Sequence, residues 1–205
     1  MSQMDIHAIL HDLKQGNRRF VEGALRHPRQ DEATRMGLAR GQSPKAVVLG
    51  CADSRVPPEV VFDQGLGDLF VVRSAGNIPD MYALASIEYA VLALQTPLVI
   101  VLGHTQCGAV QAAVQGNVPT PALGALVDAI QPSVEAAETD SVDEVVMVHA
   151  RRVAAELPAR SEAIAQAVAD GRLHILPALY HLGTGVVEWL DEVQVSAPDD
   201  EVAAK

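Results

Sequence analysis

Ala46-Val47-Val48-Leu49-Gly50-Cys51 and Leu98-Val99-Ile100-Val101-Leu102-Gly103-His104 decide how the rest of the chain is read. Each begins as a short, continuous apolar run rich in β-branched residues, the pattern of a strand buried on both faces. Leu69-Phe70-Val71-Val72 lies between them and has the same character. Further runs over 173–180 and 186–190 predict a fourth and a fifth strand, with Pro177 suggesting an edge position or a bulge in the fourth. The segment 82–94 places Leu84, Ile87, Val91 and Leu94 on one side of a helix. Helical patterns also start at Gly108 and cover 142–157 and 161–169, while 116–121 reads as a loop. Strands alternating with helices give an α/β fold: a mostly parallel central sheet of four to five strands flanked by helices.

Ahead of the first strand, Ile6, Ile9, Leu10 and Leu13 form the stripe of an amphipathic helix, continued by Asn17, Phe20 and Val21 despite Gly16. A polar stretch from Pro28 to Arg40 is a shorter helix or a loop, and Gly41-Gln42-Ser43-Pro44 breaks it off from the strand. No internal repeat or linker divides the chain, so 1–205 is expected to be one domain. Residues 1–40 would be an N-terminal helical arm packing on a partner subunit, and 191–205 an acidic tail that frays. Lys and Arg total 15 against 26 Asp and Glu, a net charge of −11. Such a field repels phosphate backbones and anionic lipid, so neither nucleic acid nor membrane is an expected partner. No apolar run approaches a bilayer span and no leader pattern opens the chain. Two cysteines cannot make a disulfide framework, and the expectation is a cytoplasmic protein.

The chemistry-bearing residues cluster where the strands end. In an open parallel sheet, ligands bind beyond the carboxyl ends of the strands. Cys51 follows the first strand, and His104 and Cys107 follow the third. Two thiolates and an imidazole suit Zn²⁺ with a fourth position open. The competing readings are cysteines acting as small buried hydrophobes, or a cysteine nucleophile with a histidine base that leaves Cys107 idle. The run Cys51-Ala52-Asp53-Ser54-Arg55 favours the metal. Asp53 and Arg55 can pair through two N–H bonds, which keeps the carboxylate ionised. That carboxylate can accept a hydrogen bond from metal-bound water or become the fourth ligand itself. Elsewhere, His7 and His11 lack a third ligand and read as a solvated helix face. His149, beside Arg151 and Arg152, is expected at the surface or an interface, and Trp189 in packing.

Cys51-Ala52-Asp53-Ser54-Arg55-Val56, together with Gly103-His104 and Cys107-Gly108-Ala109-Val110, resembles the β-class carbonic anhydrases. The likeness extends to Gly16-Asn17-Arg18-Arg19-Phe20-Val21, to the stretch from Phe62 to Arg73, and to Ser86-Ile87-Glu88-Tyr89-Ala90-Val91. It is near continuous from about Leu10 to Val110 and patchier to Leu190. It implies a zinc lyase with one Zn²⁺ per chain on Cys51, His104 and Cys107, and Asp53 with Arg55 as the catalytic pair. Gln42, Phe70, Tyr89 and Gly108 match substrate-binding positions, of which the Gln, Phe and Tyr can come from a partner subunit. The implied reaction is reversible hydration of CO₂ to bicarbonate by zinc-bound hydroxide, in a homodimer or homotetramer. Two thiolates leave the metal site formally neutral, so activity is expected to rise on the alkaline side. The alternatives are hydrolysis of carbonyl sulfide or carbon disulfide on the same fold, and a non-catalytic zinc or bicarbonate-sensing protein. Some family members carry a tryptophan three residues before the first cysteine as part of an inhibitory bicarbonate site. Val48 stands there, and no such site is expected.

Overall fold

The computed structural model describes residues 5–116 and 118–191. The expected fraying of the acidic tail falls beyond 191, outside the described residues. Five strands form one sheet: β1 (Ala46–Cys51), β2 (Leu69–Ser74), β3 (Leu98–His104), β4 (His174–Tyr180) and β5 (Val187–Trp189). Their order is β2-β1-β3-β4-β5. The first four are mutually parallel and β5 is antiparallel to β4. The chain steps from β1 to one side to make β2, then returns to the other side to make β3. The strand order therefore reverses between β1 and β3, which opens a crevice at their carboxyl ends.

The period of two along each strand divides the core into two layers. Val48, Leu98, Ile100 and Leu102 face one side, together with Phe62 and helix α1 (Ile6–Val21). Val47, Leu49, Val99 and Val101 face the other, against α4 (Met81–Leu92), α7 (Val142–Arg160) and α8 (Glu162–Ala169). The remaining helices are α2 (Glu32–Leu38), the single turn α3 (Pro58–Val61), α5 (Gly108–Gln115) and α6 (Pro121–Ala136).

The apolar stripe of α1, part of the arm expected to pack on a partner, is buried in its own chain: Ile6, Ile9, Leu10 and Leu13 join the core beside Leu98 and Leu176. Asn17 fastens the helix. Its amide donates to the carbonyls of Val61 and Gly185 at 3.1 and 2.8 Å, and its Oδ1 accepts from the Val187 N–H at 2.9 Å. Gly16 allows this approach, since a Cβ there would stand 1.8 Å from the Phe62 carbonyl oxygen.

Two elements differ from their sequence reading. Helix α6 was not marked by its pattern, although Thr120 caps it and Pro121 opens it, a regular helix start. Pro177 is neither in an edge strand nor at a bulge. It ends the β4–β5 ladder: Leu190 N–H donates to the Pro177 carbonyl at 3.0 Å, and the reciprocal bond is the one a proline cannot make. The Leu190 carbonyl accepts instead from Arg151 Nη2 at 3.0 Å. No helix among the described residues is long and apolar enough to cross a membrane.

Candidate metal centre

Cys51 is the last residue of β1 and His104 the last of β3, so adjacent strands deliver both to the crevice. Cys107 follows one turn later as the N-cap of α5. The ligand atoms of these three residues lie within 4.8 Å of one another, and all three residues are buried. Among the described residues no other group of three such side chains is arranged this way. The His104 ring is oriented for coordination. Its Nδ1 lies 2.9 Å from the Thr105 carbonyl, which can only accept, so Nδ1 carries the proton and Nε2 a lone pair. That Nε2 is fully buried and has no hydrogen-bond partner, a costly state unless a cation meets it.

The ionisation of the cluster points the same way. The Cys51 thiol is pushed well below its usual range because Cys107 donates to it, with His104 and the Gly76 N–H adding to the effect. The Cys107 thiol is held far up, since losing its proton would set a second thiolate against the first in a buried place. On His104, burial opposes the charged ring, while Cys51, the Thr105 carbonyl and Asp53 together outweigh it. Two thiolates therefore coexist here only with a positive charge between them. The donor set, the buried lone pair and this charge demand fit Zn²⁺.

Asp53 lies beside the cluster, its Oδ2 3.9 Å from His104 Nε2. Arg55 clamps it through two bonds, Nε to Oδ1 at 2.9 Å and Nη2 to Oδ2 at 2.7 Å, and the Arg55 N–H adds a third at 2.9 Å. Arg55 thereby holds the carboxyl far below the ordinary carboxylate range, although partial burial works against this. Gly108 is the first residue of α5, exposed, and open space lies where a side chain would stand.

Several supports were not legible beforehand. Arg73 donates to the carbonyls of Cys51 (2.8 Å) and Asp53, fixing the loop between them. The Gln106 N–H donates to Asp143 at 2.8 Å, which holds the turn between His104 and Cys107 at a positive φ of 54°. His149 is not at the surface: it is 3% exposed and hydrogen-bonded on both nitrogens. A residue two positions before a helical Arg-Arg gives no sign of this, because only the helix register decides which side it faces. His7 and His11 are exposed, as expected.

Within one chain Gln42, Phe70 and Tyr89 do not join the cluster. Phe70 pairs with Val47, four residues below the Cys51–Ser74 pair, roughly 13 Å along the strand. Tyr89 stacks obliquely on it with ring centroids 6.2 Å apart and is 53% exposed. Gln42 is exposed in the loop that enters β1, at the amino end of the sheet.

A family model described as carbonic anhydrase matches residues 46–187. Carbonic anhydrase 2 of Mycobacterium tuberculosis is 48% identical over 180 residues, covering 84% of this chain and 87% of that protein. Carbonic anhydrase of Mycolicibacterium smegmatis is 47% identical over 183 residues, covering 86% and 89%. Among solved structures, the β-carbonic anhydrase CcaA matches with a TM-score of 0.70 at 27% identity, covering 89% of this chain and 95% of that one.

Proposed function

Because the chain belongs to the β-carbonic anhydrase family, we propose that it interconverts CO₂ and bicarbonate at one Zn²⁺ per chain held by Cys51, His104 and Cys107. The observation that carries this is the convergence of those three ligand atoms around a buried, unpartnered imidazole nitrogen. When bound, Zn²⁺ supplies a Lewis acid that brings the ionisation of water down towards neutral pH.

The chain's own residues do the rest. Arg55 keeps Asp53 ionised, and an ionised carboxylate can only accept. Asp53 therefore takes the O–H of the attacking water and turns an oxygen lone pair towards CO₂. Arg73 and Asp143 hold the two loops that carry Asp53 and Cys107, so little reorganisation is needed as charge develops. The Gly108 N–H, at the positive end of α5, faces the growing negative charge. Gln42, Phe70 and Tyr89 line the entrance of a neighbouring subunit's site, in a homodimer or a homotetramer. Oδ2 of Asp53 stands 3.9 Å from His104 Nε2, close enough that Asp53, once released from Arg55, would reach in as a fourth ligand.

Stopped-flow CO₂ hydration on protein of measured zinc content tests this, at neutral and at mildly alkaline pH. Fast hydration with zinc and chain in equal amounts is expected, rising towards alkaline pH. Asp53→Ala is expected to keep the metal and lose about 10²-fold in rate. Full zinc occupancy without hydration at either pH would overturn the proposal and favour a sulfur-containing substrate or a sensing role.

A further inference from the structure

The two thiol ligands are supported from different sides. Cys107 is the N-cap of α5, where the positive end of the helix and the nearby N–H groups of Ala109 and Val110 favour its thiolate. Cys51 has no helix to lean on. Its Sγ receives the Gly76 N–H at 3.4 Å, from the 3-10 turn (Ala75–Asn77) that follows β2. Gly76 has a φ of +67°, and a Cβ there would stand 2.9 Å from Ile130 Cδ1 and 3.2 Å from Ala109 Cβ. Glycine thus meets both the backbone conformation and the tight packing.

The other polar group of Gly76 is held from the core. Its carbonyl lies 2.9 Å from Nε2 of His149, on α7, and Nδ1 of the same ring lies 2.8 Å from Oγ of Ser133, on α6. His149 is 3% exposed and Ser133 fully buried. A carbonyl can only accept, so Nε2–H donates to Gly76 and the Ser133 hydroxyl donates to Nδ1. Burial holds the imidazole neutral, which is the form this pattern requires.

We propose that His149 and Ser133 are positioning residues for the metal site: they lock Gly76 so that its N–H stays aimed at the Cys51 sulfur. An N–H bond to a ligating thiolate withdraws electron density from it, which leaves the metal a stronger Lewis acid. The chain from Ser133 through His149 and Gly76 to Cys51 does for one ligand what the end of α5 does for the other. The proposal rests on Cys51 being a metal ligand, as argued above.

The test is the cobalt(II)-substituted enzyme, read by its thiolate-to-metal charge-transfer absorption, for wild type, His149→Ala, Ser133→Ala and His149→Gln. Loss of the N–H bond raises the energy of the sulfur electrons. The band is therefore expected at longer wavelength in His149→Ala, with a smaller displacement in Ser133→Ala. His149→Gln, whose amide N–H can still reach the Gly76 carbonyl, is expected to restore it. In the zinc enzyme the midpoint of the pH–rate profile should move up in the same order, with the rate at neutral pH about 10-fold lower in His149→Ala. A merely structural hydrogen bond would lower thermal stability and leave band and midpoint in place, and that result overturns the proposal. Should His149→Ala not fold, Ser133→Ala and His149→Gln carry the same comparison. A wild-type cobalt protein without a thiolate band would refute the ligand assignment itself, which separates that failure from this one.

Discussion

At the carboxyl end of the sheet Cys51, His104 and Cys107 are 5%, 0% and 2% exposed, whereas on the outer side of α4 Met81, Tyr82, Tyr89 and Leu92 stand 74%, 81%, 53% and 56% exposed. The first region is closed within one chain. Its ligands come from adjacent strand ends, its loops are pinned by Arg73 and Asp143, and its imidazole tautomer is set by a backbone carbonyl. The second is open. β2 is an edge of the sheet, and α4 beside it carries aromatic and aliphatic side chains with nothing over them among the described residues. Exposed apolar surface of this kind beside a free strand edge is the usual mark of an association surface. The contrast sharpens the proposal above: a single chain already assembles the candidate metal centre, whereas the proposed pocket residues Phe70 and Tyr89 lie on the open side.

Breaking the closed region should have the larger effect. Cys107→Ser replaces a thiolate by a hydroxyl that stays protonated, which removes one of three ligands. Zinc content is expected to collapse and CO₂ hydration to fall by at least about 10³-fold. The open face is untouched by this change, so the molar mass by light scattering should stay that of the wild type. A shift in association state together with metal loss would join the two regions and undo the contrast.

The converse change acts on the open face. Tyr89→Asp places a charge on the α4 surface next to Phe70, where burial against another chain would strip its water. Association is expected to weaken while zinc remains equimolar with chain. Hydration should fall by about 10- to 100-fold as the entrance residues lose their place. An active monomer would show that Gln42, Phe70 and Tyr89 play no part in a shared site.

What the sequence discloses follows the same divide. Parallel strands are buried on both faces, so Val47–Leu49 and Leu98–Leu102 announce themselves as unbroken apolar runs, and their ends locate Cys51 and His104 without further help. Asp53 and Arg55 are near neighbours in the chain, and local chemistry suffices to pair them. Long-range partners leave no such trace. Arg73 reaches Cys51 only because β1 and β2 are in register, and Ser133 reaches Gly76 only through His149 and the packing of α6 on α7. Helix α6 was hidden by Pro121, Gly124 and Pro132, residues that ordinarily punctuate loops. For Gln42, Phe70 and Tyr89 the resemblance named the residues, while strand register places Phe70 about 13 Å along the strand from the Cys51–Ser74 pair of its own chain.

Helix α1 offers the finest test of what is closed within a chain, because its sequence suggested a partner and its structure a self-contained fit. Arg19 on α1 donates to Asp63 Oδ2 at 2.6 Å, and the N–H groups of Arg26 and His27 reach the same carboxylate at 3.1 and 3.0 Å. Burial pushes the Asp63 pKa up, but Arg19 and the two backbone donors prevail and hold it below the ordinary carboxylate value. The unfolded chain thus binds the proton more readily. The stabilisation is complete above the unfolded pKa of about 3.9 and is lost as pH falls through the lower folded value. Asp63→Asn should cost about 1–3 kcal/mol at neutral pH. The gap between variant and wild type should narrow under acid conditions in chemical denaturation. If α1 belongs to its own chain, that loss is independent of protein concentration. A loss that deepens on dilution would mean that a second subunit holds the helix, since only then does mass action enter its stability.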